Sequence, residues 1–223
     1  MKMKFLVLCF SVCFFWAQNA TAFCYRQPVK VKVKTSIPKP KYHHNLTADR
    51  FPAQISTKKK HNKDMEMRGL TVSKLEVTGQ ASSYVKQNKT EVCVGLKEVT
   101  FEFKLNSLDV YIDKRYAKNS CAYREIKEHE DIHAGIFSQA VPFYKPDLEK
   151  ALQRAVDSLV THSLPISSAN QEKVNKLTDQ DFQKVIRDIS PVLDHMNKKV
   201  MEKNEAIDTY ESYMEISKKC PKW

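Results

Sequence analysis

The sequence predicts an α+β fold, a small antiparallel sheet followed by helices, and three observations predict it. Segments that alternate apolar and polar residues crowd the first half of the chain: Val29-Lys30-Val31-Lys32-Val33-Lys34, residues 70–77 and residues 92–103. After residue 119 the apolar residues recur every three or four positions instead. Period two marks half-buried strands, and a period near 3.6 marks helices with one apolar face. The helical half opens on His129-Glu130-Asp131-Ile132-His133, which places two imidazoles four residues apart.

Taken in order, residues 1–22 read as a secretory signal. Lys2 and Lys4 precede an apolar run from residue 5 to 16, and Ala20-Thr21-Ala22 is a small-x-small cleavage site. The run is too short for a permanent membrane helix. No later segment is apolar enough to span a bilayer, so the mature chain is expected in the periplasm or secreted, cleaved after Ala22. Cleavage leaves four cysteines, Cys24, Cys93, Cys121 and Cys220. An even number in an exported chain predicts two disulfides. Three connectivities are open; among them, a Cys121–Cys220 bridge would pin the helix that carries the motif.

The net charge of +11 is unevenly spread. Residues 23–63 hold eleven Lys and Arg against one acid, Asp49, whereas 24 bases meet 25 acids in residues 64–223. This divides the mature chain into a basic N-terminal arm with one strand, residues 23–63, and a near-neutral domain, residues 64–223. The arm is either a solvated segment or a surface for anionic polymers. It has few aromatic residues to stack bases and no nucleic-acid-binding motif, which argues against a nucleic-acid partner.

In the domain, residues 70–77 predict a strand. Gly79 begins a stretch to residue 89 that reads as a turn or hairpin link, residues 92–103 predict a second strand, and residues 108–112 a third. The motif helix is expected over residues 122–141, capped by Asn119 or Ser120 and closed by Pro142. Its apolar stripe is read as Ala122, Ile126, Ile132, Ile136, Phe137 and Ala140. Pro146 suits the first turn of a second helix, with Leu148, Leu152, Val156, Leu159 and Val160 on its apolar face. Residues 165–175 read as a loop. A long helical stretch follows, capped by Thr178 or Asp179 and kinked or divided at Pro191. Two or three helices therefore follow the motif helix.

The motif carries the chemistry. Residues four apart on a helix share one face, so His129 and His133 can reach one metal ion. Glu130 then lies beside them, placed to polarise a water on the metal. The competing reading is two core histidines satisfied by hydrogen bonds. A catalytic zinc has three protein ligands and one open position. Position 139 is Gln139, so the third ligand is not a histidine at the spacing His-x-x-Gly-x-x-His. The last helical stretch offers Asn204, Glu205, Asp208 and Glu211. On an unbroken helical wheel Glu211 lies inside the apolar face and Asp208 on its flank, while Glu205 points nearly opposite. The residues themselves leave Asp208 and Glu211 both open.

Val110-Tyr111-Ile112, Ser120-Cys121-Ala122-Tyr123-Arg124, the His129-Glu130-x-x-His133 motif, and Asp208-Thr209 with Tyr213 and Cys220 together resemble a family of uncharacterised bacterial proteins described as predicted secreted zinc-dependent proteases. The resemblance covers residues 93–220. It implies a zincin-like fold, Zn2+ as cofactor, His129 and His133 as ligands, Glu130 as the catalytic residue that activates water, and Asp208 rather than Glu211 as third ligand. Asn204-Glu205-Ala206-Ile207 is similar to the third-ligand helix of thermolysin-type peptidases, which would implicate Glu205, on the face the wheel disfavours.

The function expected from these readings is an exported zinc metallopeptidase, a hydrolase of peptide, protein or peptidoglycan amide bonds. The rival is a non-catalytic envelope protein with a structural or vestigial metal site and an anion-binding arm. An open coordination position separates the two, because a structural site is closed. Oligomeric state leaves no mark in the sequence.

Overall fold

A computed structural model describes residues 23–52 and 67–223; the expected signal, residues 1–22, and the Lys58, Lys59 and Lys60 run lie outside them. The architecture is α+β, with a five-stranded sheet and three helices. Its spine is β4 (Glu91–Ile112), which pairs with every other strand. β3 (Gly69–Gln87) runs antiparallel along one edge of β4 for its whole length. The opposite edge is shared end to end by β5 (His162–Pro165), β1 (Lys30–Ser36) and β2 (Lys41–His43). β5 is antiparallel to β4, but β1 and β2 are parallel to it, so the sheet is mixed and not the antiparallel sheet the strand pattern suggested. The difference arises in the arm: it holds two strands rather than one, and both join the domain's sheet. Strand periodicity reports which face is buried and says nothing of direction.

Gly79 is a strand residue rather than a turn residue. A Cβ there would come within 2.8 Å of both the Phe101 and the Phe182 rings, so the missing side chain makes room for aromatic packing. The reversal falls at Asn88, whose side-chain Oδ1 accepts from the backbone N–H groups of Thr90 and Glu91, each at 2.8 Å. The segments read as separate strands at 92–103 and 108–112 are one strand with two bulges. Register slips between Ser82 and Ser83 and between Lys74 and Leu75, opposite extra residues on β4. Each extra residue flips the side-chain parity. The buried set therefore passes from Val92, Val94 and Leu96 to Val99, Phe101, Phe103 and Leu105, and then to Leu108, Val110 and Ile112, all on the face under the helices.

Two long helices cover that face. α1 (Cys121–Asp157) begins at Ser120, whose Oγ accepts from Tyr123 N–H at 3.1 Å, and runs through both Pro142 and Pro146. α2 (Gln171–Ile207) begins earlier than read, at the Asn170 cap, and runs through Pro191. All three prolines lie on exposed helix faces. There water can take the carbonyl that each leaves without an N–H partner, which is why they do not end the helices. α3 (Tyr210–Lys218) follows a break at Asp208-Thr209. The first part of α1 packs Ile126 and Ala134 on Leu108, Val110 and Ile112, and its later part packs Leu148, Leu152 and Val156 on Leu96, Val99, Phe101 and Phe103. The stripe on α1 departs from the one read at Ile132, which is 50% exposed; the buried positions there are His129, Glu130, His133 and Ala134.

Disulfides join Cys24 to Cys93 and Cys121 to Cys220. The first fastens the arm to β4, and the second ties the start of α1 to the end of the chain. Such bridges fit an oxidising compartment. Among the described residues no helix is long and apolar enough to cross a membrane.

Candidate metal centre

The third and fourth turns of α1 bring the motif to the core. His129 and His133, four residues apart, are 8% and 7% exposed, and their Nε2 atoms approach to 3.3 Å. Between them in sequence, Glu130 is also buried, at 3% exposure. One ligand atom from each of the three residues lies within 4.8 Å of the others, forming a group able to hold a metal ion.

Asp208 reaches the same point from the far end of α2. The helix stops at Ile207, and Thr209 caps α3 by accepting from Ser212 N–H at 3.2 Å. Ser212 Oγ in turn donates to the Ile207 carbonyl at 2.6 Å. This joint holds Asp208 out of both helices and against the histidines. Its Oδ1 lies 3.1 Å from His129 Nε2 and 3.0 Å from His133 Nε2. Burial pushes the Asp208 carboxyl up, but the two imidazoles outweigh it and hold the group far below the usual carboxylate range.

The tautomer of His133 follows from its other side. Asn204 Nδ2 donates to the Val200 carbonyl at 2.8 Å, which turns Asn204 Oδ1 toward His133 Nδ1 at 2.7 Å. Nδ1 is therefore the donor, and in the neutral ring Nε2 presents its lone pair to Asp208 Oδ1. Two lone-pair atoms 3.0 Å apart need a cation between them. A proton on His133 is one answer: burial lowers its pKa, but Asp208 and Glu130 more than offset this and raise it. A metal ion is the other. The three separations of 3.0, 3.1 and 3.3 Å are close to the ~3.3 Å edge of a tetrahedron with ligand bonds near 2.0–2.1 Å. A His129, His133 and Asp208 donor set, with one ring oriented by an amide oxygen, fits a divalent ion.

A small, mostly apolar cleft lies beside this cluster, lined by Arg68, Gly69, His129, Glu130, Tyr213 and Ile216 among others. Glu130 Oε2 accepts from Thr71 Oγ1 at 2.8 Å, and a Cβ on Gly69 would lie 2.5 Å from Glu130 Oε1. The start of β3 thus backs directly onto the carboxylate, and a larger residue at Gly69 would displace it. Burial raises the Glu130 pKa, with the His133 charge and the Thr71 hydroxyl opposing. The Tyr213 ring lies 5.5 Å from that of His129, and burial beside Asp208 and Glu130 holds its phenol protonated to well above the usual tyrosine range.

His129, Glu130, His133 and Asp208 thus meet in space. Glu205 and Glu211 are exposed on α2 and α3. The unbroken wheel misplaced Glu211 because the helix ends at Ile207, four residues before it. Thr71, Arg68 and the roles of Asn204 and Tyr213 escaped the sequence reading. A polar residue at the buried end of the α2 stripe signals Asn204, but nothing local signals Thr71, 59 residues from its partner.

Compared with protein-family models, curated proteins and solved structures, the chain matches none.

Proposed function

We propose that this protein is an exported zinc-dependent metallopeptidase that hydrolyses a peptide or amide bond. The observation that carries the reading is the convergence of His129 Nε2, His133 Nε2 and Asp208 Oδ1 within 3.0–3.3 Å beside a cleft that holds a buried carboxylate. His129, His133 and Asp208 would hold the ion. Zinc, when bound, acidifies a water and polarises a carbonyl.

The chain's own groups supply the rest. Glu130 takes a proton from the attacking water and passes it to the leaving amine. Its raised proton affinity suits that exchange, and Thr71 holds the carboxylate in place through Oε2. Tyr213 keeps its phenolic proton and donates a hydrogen bond to the oxygen that gains charge as the carbonyl is attacked. The same activity is what the resemblance of the motif segments implies.

The test is metal content and turnover in parallel on the purified mature chain. About one zinc per chain is expected in the wild type and none in His133→Ala. Glu130→Gln is expected to keep the zinc and to lose hydrolysis of a mixed peptide substrate by on the order of 10²-fold or more. A wild type that takes up no zinc even when it is supplied, or a Glu130→Gln variant with full turnover, would end the proposal.

A further inference from the structure

We propose that Arg68 forms a carboxylate-binding subsite in the wall of the cleft, so that the substrates are peptides or amides carrying a free carboxylate next to the scissile bond. The proposal rests on the hydrolase reading and narrows it. Arg68 immediately precedes Gly69, the residue whose backbone lies against Glu130, and both line the cleft with His129 and Tyr213. The segment that leads into β3 therefore also places Arg68 in the lining of the cleft, its charge close enough to Tyr213 to act on the phenol.

The guanidinium is held, but by neutral groups. Its carbon lies 4.4 Å above the Trp223 ring, and Nη1 donates to Ser217 Oγ at 3.2 Å. Among the described residues no carboxylate lies within ion-pair distance of it, whereas Arg26 and Arg115 are paired with Asp157 and Asp113. An arginine stacked on an indole and fixed through one nitrogen keeps its full charge and most of its donors for a planar, bidentate partner. The charges agree. A doubly charged ion balanced by Asp208 and Glu130 leaves the centre near neutral, and Arg68 then makes the cleft positive. The matching group is a carboxylate, either the free end of a chain or an Asp or Glu side chain.

The test uses three short peptide hydroxamates titrated calorimetrically into the zinc-loaded mature chain. One ends in a free carboxylate, the second is its amidated form, and the third is amidated but carries a glutamate beside the hydroxamate. One of the two acidic probes is expected to bind roughly ten-fold tighter than the neutral one, and which of them does so names the source of the carboxylate. In Arg68→Gln that preference disappears while the neutral probe binds as before, which also shows that the variant is folded and loaded. Arg68→Lys, which keeps the charge without the fork, is expected to fall between. Equal binding of all three probes by the wild type, or a preference that survives in Arg68→Gln, overturns the subsite and leaves the hydrolase reading in place. An equal loss for all three probes in Arg68→Gln, restored in Arg68→Lys, assigns Arg68 to general binding and likewise overturns it. Failure of the wild type to bind any probe overturns the hydrolase reading and the subsite together.

Discussion

At the scale of single residues the centre is set by hydrogen bonds that fix lone pairs. Asn204 illustrates this. Its amide is turned by the Val200 carbonyl, so that its oxygen accepts from His133 Nδ1 and aims Nε2 at Asp208. Partners of this kind are worth about 10–100-fold in metal affinity. Asn204→Ala is accordingly expected to weaken zinc binding by about that factor, read by competition with a chromogenic chelator, while Glu205→Ala, on an exposed face, leaves it unchanged. An unaltered Asn204→Ala affinity would mean that the ring is positioned by packing alone. Of these residues the sequence made His129, Glu130 and His133 legible, because their spacing is a property of one helix. Asp208 needed the resemblance, and Thr71 and Arg68 were not legible, because strand pairing brings them to the helix from some sixty residues away.

At the scale of elements, the unexpected feature is the persistence of α1 through two prolines. Pro142 and Pro146 are four apart and share one exposed face, so the cost of each is confined to a lost hydrogen bond at the solvent side. Proline costs about 3 kcal/mol relative to alanine inside an exposed helix, less up to about 1 kcal/mol through its stiffening of the unfolded chain. Pro142→Ala is thus expected to stabilise the protein by roughly 2 kcal/mol, seen as a higher urea midpoint at unchanged slope. A destabilised variant would show that the proline is required for the path of the helix. Where β4 ends, Asp113 joins the arm to the domain: its fully buried carboxylate accepts from Ala48 N–H at 2.9 Å and from the Arg115 side chain at 2.7 Å. Burial raises its pKa, but the hydrogen bonds and the Arg115 charge overcome this and lower it. A carboxyl whose folded pKa lies below its unfolded value of about 4 stabilises the fold above that pH and loses the contribution as pH falls through the folded pKa. The stability gap between wild type and Asp113→Asn should therefore be wide at neutral pH and narrow in acid. A gap independent of pH would exclude Asp113 from the acid response.

At the scale of the whole molecule, the two disulfides divide the work. Cys24–Cys93 closes the arm onto the sheet, whereas Cys121–Cys220 closes a segment that contains every residue of the candidate metal centre except Arg68, Gly69 and Thr71. Loss of either is expected to cost about 2–5 kcal/mol. The consequences for the site differ. Cys121→Ser with Cys220→Ser frees the end of α3, the helix whose start fixes the joint that holds Asp208, so zinc affinity and turnover should fall along with stability. Cys24→Ser with Cys93→Ser should lower stability alone. Zinc affinity measured at a temperature where both variants remain folded separates the two, and equal affinities would show that the second bridge acts only on the fold.

Charge distribution, hydrophobic period and cysteine count are short-range or compositional. They were enough for the α+β class, the helix that carries His129 and His133, a cap at Asn119 or Ser120 and the expectation of two bridges. What they could not carry was anything that depends on how distant segments meet. The parallel docking of the arm on β4, the bulges that keep one face of that strand buried, and the prolines turned to water each require a partner surface. So does the joint after Ile207, which brings Asp208 to the imidazoles and leaves Glu211 exposed. A residue's period shows which side of its element is apolar. Which polar groups then lie within three ångströms of each other is decided when the sheet and the two long helices pack, because only then does an unpaired lone pair acquire a cost and a partner.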